Sequence, residues 1–198
     1  MARVSVALIG ALWSLAGCAP SANSQPNVKA PYVSPTGLGP ELWRGAREGM
    51  SVAEIKSLFP VARKPEAPDS LNIPDTEELL EADDTLLREQ TLLKFYFING
   101  KLSNITIDRK DQLVNIAYIE AVSEKLQKEA KSHRHCNTSE RLIYCYWVGG
   151  KLTTSLTAVA VLPGPPLSGG VFMLDRMPTD LWCYYNKSKM PEPACFRH

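Results

Sequence analysis

Period-two alternation marks residues 93–107. Leu93, Phe95 and Phe97 alternate with Lys94, Tyr96 and Ile98, and Ile105 and Ile107 resume the pattern beyond Asn99-Gly100. This reads as a β-hairpin. A two-residue Asn-Gly turn alone would set Asn104 and Thr106 opposite Phe95 and Leu93. The apolar pattern therefore predicts a three-residue loop with a bulge, which keeps the odd positions on one face. The segment FYFINGKLSNITI (95–107) is echoed by CYWVGGKLTTSLT (145–157). Tyr96, Gly100, Lys101 and Leu102 recur as Tyr146, Gly150, Lys151 and Leu152. A second hairpin is expected over 142–148 and 151–162. A strand is expected around 79–87 and a short one at 171–174.

Helical period appears upstream of each hairpin. Ser51 and Glu54 form a capping-box pattern, Met50 and Ile55 can staple, and Val52, Ile55, Leu58 and Phe59 form a stripe that Pro60 ends. The preceding residues 41–47 read as a short helix broken by Gly45 and Gly49. A longer helix is expected over 111–132, with Val114, Ala117, Ala121, Val122 and Leu126 on its apolar face. The order helix, strands, helix, strands predicts an α+β fold: two tandem helix-plus-antiparallel-sheet units, 41–110 and 111–176, followed by a tail, 177–198. Phe95, Phe97, Cys145 and Trp147 are the expected core. Tyr96 and Tyr146 point to the other face; with Tyr144 and Trp182, and beside Tyr184 and Tyr185, they are candidate contacts for a partner.

The N-terminus carries different information. Arg3 precedes a twelve-residue apolar run, Val4 to Leu15. As a helix it would be about 18 Å long, too short for a bilayer core of about 30 Å. It reads as a signal peptide, 1–17. Leu15-Ala16-Gly17-Cys18 resembles a bacterial lipobox, which implies a lipidated Cys18; plain cleavage near Ala22 is the alternative. Ala19 after the cysteine, by resemblance to other bacterial lipoproteins, implies the outer membrane, with the protein facing the periplasm. Residues 18–40, with five prolines and Lys29 as the one charge, read as a flexible linker.

Gly49-Met50-Ser51, Glu54-Ile55 and Leu58, followed by Leu93–Phe97 and Gly100-Lys101-Leu102, resemble the SmpA/OmlA (BamE-like) outer-membrane lipoproteins. A duplicated unit of that kind resembles the secreted β-lactamase inhibitor protein. The match is moderate over 41–107 and rests on pattern alone over 111–175. Phe59-Pro60 replaces the glycine-proline step expected after the first helix. The resemblance implies fold and location, and no binding residue is carried over from it.

Charge and cysteines narrow the remaining choices. A net charge of +1 gives no reason to expect a nucleic-acid partner. Acidic residues concentrate at 66–89, where nine carboxylates meet Arg88 alone. Beyond Cys18 there are four cysteines, Cys136, Cys145, Cys183 and Cys195. In an exported chain they imply disulfides. Three pairings are possible; Cys136–Cys145 and Cys183–Cys195 each close a short loop around turn-forming residues. The competing use is zinc, through His133, His135, Cys136 and His198, but this run lacks a partner at usual spacing. No G-x-S-x-G, H-E-x-x-H or P-loop occurs. The expectation is a protein with no enzymatic site, metal or cofactor. It would bind envelope proteins at the outer membrane, or alternatively inhibit a periplasmic or foreign enzyme.

Overall fold

The structure, a computed structural model, describes residues 32, 36–66, 76–109, 116–130, 132, 134–138, 142–159, 172–186 and 195. Cys18, the apolar run before it, His133 and His198 lie outside these residues. The chain folds as α+β. Strands β1 (Glu41–Trp43) and β2 (Ala46–Arg47) form a small hairpin, followed by α1 (Val52–Leu58). A meander follows, β3 (Glu78–Leu86), β4 (Glu89–Ile98) and β5 (Lys101–Arg109), then α2 (Ile116–Ala130). A second meander, β6 (Arg134–Thr138), β7 (Leu142–Val148), β8 (Leu152–Val159) and β9 (Phe172–Pro178), leads into α3 (Thr179–Asn186). Both meanders belong to one seven-stranded antiparallel sheet of order β3-β4-β5-β9-β8-β7-β6.

The first hairpin resolves its phase differently from the expectation. The turn has only two residues, Asn99-Gly100, with Ile98 paired to Lys101. Both turn residues have positive φ, 53° and 68°, as the twist of a tight hairpin demands. The extra residue is Ser103, inside β5: Phe97 pairs with Leu102 and Tyr96 with Asn104. This bulge, rather than a longer loop, sets Phe95 opposite Ile105 and Leu93 opposite Ile107. Ser103 is fully buried, and its hydroxyl donates to the Tyr96 carbonyl at 2.9 Å. In the second hairpin no bulge occurs, Cys145 faces Leu156 and Trp147 faces Thr154. Its turn is longer, with Val148 paired to Thr153. The gapless thirteen-residue match therefore holds before the turn and slips after it, by two residues beside the turn and by one beyond the Ser103 bulge.

Alternation sends Phe95, Phe97, Ile105, Ile107, Leu156, Leu174, Cys145 and Trp147 to one sheet face. That face is covered by β1, α1 and α2. Ser51 caps α1 as expected: its hydroxyl accepts from the Glu54 amide, and Glu54 Oε2 accepts from the Ser51 amide at 2.7 Å. Residues 41–47 are a hairpin, not a helix. Arg44 and Gly45 both take positive φ, and the turn lets Leu42 and Trp43 bury. The apolar face of α2 is Tyr118, Ile119, Val122 and Leu126, whereas Ala117 and Ala121 are exposed. Larger side chains bury more apolar area, so they take the core and rotate the helix away from the expected stripe.

Four further features differ from the sequence reading. The polar run at 134–138 is an edge strand, exposed along its whole length. The strand expected at 171–174 extends to Pro178 and occupies the middle of the sheet. The tail contains α3, whose first residue is pinned to the second hairpin: Thr179 Oγ1 donates to the Gly149 carbonyl at 3.0 Å, and the Thr179 amide donates to the Lys151 carbonyl at 3.0 Å. The linker reading ends earlier than residue 40. Tyr32 is buried and donates from its hydroxyl to Glu48 Oε1 at 3.0 Å.

Candidate binding surface

The sheet's second face carries a polar row across all seven strands. Glu81, Lys94, Thr106, Asp175, Ser155, Tyr146 and His135 stand side by side in register. Asp175, on the central strand, accepts from Thr106 Oγ1 at 2.7 Å and from Ser155 Oγ at 3.4 Å. Burial pushes its carboxyl up to about 6; Asp108 adds to the rise, and the two hydroxyls offset part of it. Lys94 pairs with Asp108 at 2.9 Å. Lys94, Asp108, Asp175, Tyr144, Thr157 and Met173 are all partly exposed, so this part of the face meets solvent.

Toward β6 the face becomes aromatic. His135 stacks on Tyr146 at 5.1 Å and 12° between planes. Tyr146 lies 5.7 Å from Tyr144 and 5.4 Å from Trp182 of α3. Burial raises the Tyr144 phenol, so it is neutral at physiological pH. Tyr32, Ile98 and Leu181 form a small second core, against which Met177, Tyr184 and Tyr185 pack.

The sequence-derived contacts thus separate. Tyr96, Tyr146 and Trp182 lie on the expected face but are buried, at 1%, 8% and 1% exposure. Expecting them to be exposed was wrong. α3, a helix the sequence reading lacked, lays Leu181 and Trp182 on this side of the sheet, and an aromatic under such a helix is core. Tyr144 alone of the four remains partly open. The central Asp175 went unnoticed, because its partners are 20 and 69 residues away in sequence. One signal is present: Asp175 and Arg176 interrupt the apolar run VFMLDRM, where charges have to find partners.

Disulfides join Cys136 to Cys145 and Cys183 to Cys195. The first links directly opposed residues of β6 and β7; the second ties α3 to residue 195. With both thiols of the first pair in a bridge, Cys136 is not available as a thiolate ligand. Among the described residues no His/Cys/Asp/Glu group could hold a metal ion, and no helix is long and apolar enough to cross a membrane. Comparison with family models, curated proteins and solved structures finds no match for this chain.

Proposed function

We propose that the chain is a non-enzymatic lipoprotein, anchored to the outer membrane through Cys18 and facing the periplasm, whose sheet binds another envelope protein. The observation that carries this reading is the half-exposed second face, with its Asp175–Lys94–Asp108 centre and Tyr144 beside it. The open positions run from Lys94 on β4 through Asp108, Met173 and Asp175 to Thr157 and Tyr144 on β7, five adjacent strands that span about 19 Å at about 4.8 Å spacing. Mixed polar and aromatic groups on a rigid sheet suit protein contacts, because little side-chain freedom is lost on binding.

The fold reads as two tandem units joined edge to edge between β5 and β9. Two meanders, each preceded by a helix, support that reading, as do Phe95 and Cys145 at equivalent core positions. A photo-crosslinking residue at Met173 tests the docking face in cells, with exposed Glu120 on α2 as the control position. Met173 is expected to give one dominant adduct with an envelope protein, and Glu120 none. Equal labelling from both positions, or none from Met173, removes the sheet-face reading. A second reading, inhibition of an enzyme, is favoured by the continuity of the sheet face and predicts an adduct with a soluble hydrolase instead.

A further inference from the structure

Arg176 lies on the helix-covered side of the sheet, in lateral register with Thr154 and Ile105. Its guanidinium sits 5.6 Å from the Trp43 ring centre. The Arg44 guanidinium sits at the same distance from that ring. Arg44 has partners, since it pairs with Asp84 and donates to the Thr85 carbonyl. Arg176 differs: among the described residues its buried Nε has no hydrogen-bond partner. Glu129 and Glu41 act on it only through longer-range attraction. Each is engaged elsewhere, Glu129 by Lys125 and Glu41 by the Gly45 amide.

A buried guanidinium N–H left unpaired is unfavourable, and the guanidinium's fork of donors fits a carboxylate in two parallel bonds. Space for one exists. Two clefts share Arg176 and Glu129 in their walls, one of about 260 Å³ beside Leu126 and Thr154, the other of about 470 Å³ beside Trp43, Leu86 and Leu87. We propose that the cleft between Trp43 and α2 is a binding site for a carboxylate group, held by the Arg176 guanidinium with apolar contact to Leu86 and Leu87. Arg44 and Lys125 also line this cleft and offset Glu41 and Glu129. Desolvating a dianion between Trp43, Leu86 and Leu87 costs more than desolvating a monoanion, so carboxylate is preferred over phosphate. The carboxylate comes either from a small free acid or from a peptide.

The full-length protein, labelled with ¹⁵N, reports binding through the Arg176 Nε–H resonance at constant ionic strength. Acetate, inorganic phosphate, and a short peptide with a free or an amidated C-terminus are the probes. The resonance is expected to shift saturably with acetate, with phosphate no stronger. Arg176→Gln is expected to weaken acetate binding at least about tenfold, as read from backbone shifts of Trp43 and Thr154. A free-acid peptide that binds about tenfold more tightly than its amidated form and than acetate assigns the peptide source; equal binding assigns the small acid. Arg176→Met keeps an apolar stem against Trp43 and is expected to melt no lower than the parent. An Nε–H resonance unmoved by every carboxylate overturns the proposal and leaves Arg176 a structural strut; a stronger response to phosphate overturns the assignment to carboxylate.

Discussion

Replacing Asp175 with Asn removes a charge from the centre of the sheet while preserving its shape. In the folded protein burial and Asp108 raise this carboxyl from an ordinary 3.8 to about 6, against the opposing effect of Thr106 and Ser155. A raised pKa means that the folded state holds a proton which the unfolded chain has already released. The residue's contribution to stability is therefore intact below pH 3.8, declines as pH rises, and is lost above about 6. At about 1.36 kcal/mol per pH unit the loss approaches 3 kcal/mol; residual solvent contact brings it nearer 2. Asp175→Asn should then be about 2 kcal/mol more stable than the parent at pH 7, with most of that gain gone at pH 4. Urea denaturation followed by circular dichroism, with disulfides oxidised, measures both proteins from pH 4 to 8. A stability difference independent of pH, or an Asn variant weaker at pH 7, would refute the reasoning. It would mean that the two hydroxyl bonds outweigh burial.

Phe97→Ala and Trp147→Ala, both at 0% exposure, should each cost about 3–5 kcal/mol in thermal melts. Tyr96→Ala should cost a comparable amount, because the opposite face is also closed at that point; a near-neutral Tyr96→Ala would mean that this side opens in solution. Gly100→Ala should cost about 1 kcal/mol, since its φ is +68°, while Gly150→Ala, in open space without positive φ, should change stability by less than about 0.5 kcal/mol. Under the proposed anchor, Cys18→Ser should leave the precursor uncleaved or release soluble protein, as read by cell fractionation and mass spectrometry. An unmodified chain beginning after Ala22 would exclude lipidation.

Strands with apolar alternation were legible because the period itself is the physical cause of burial: Phe95, Phe97 and Trp147 could be assigned to the core without coordinates. The capping box at Ser51 and Glu54 was equally readable, being a local exchange of hydrogen bonds. What escaped depended on distance. β6 has no apolar alternation and exists because β7 and the Cys136 bridge hold it. α3 is partly written in Thr179-Asp180 before Leu181 and Trp182, a polar start followed by two buried residues, but Trp182, Tyr184 and Tyr185 alone do not tell a buried aromatic from a surface one. For Asp175 and Arg176, neighbours in sequence on opposite faces, only tertiary pairing decides which is satisfied and which is not.

The position of β9 has a consequence for how the chain is made. This strand joins the two meanders, yet it is the last of the seven to appear along the chain. While the protein emerges from the N-terminus, β5 completes its hairpin and then keeps a bare edge until residue 172 arrives. An unpaired edge of that kind is a template for other chains. Long-range pairing also slows folding, because loop closure precedes the contacts that reward it. Truncation between Val159 and Phe172 should thus expose two sheet edges at once, those of β5 and β8. Such fragments are expected to aggregate rather than persist as a half-sized folded module.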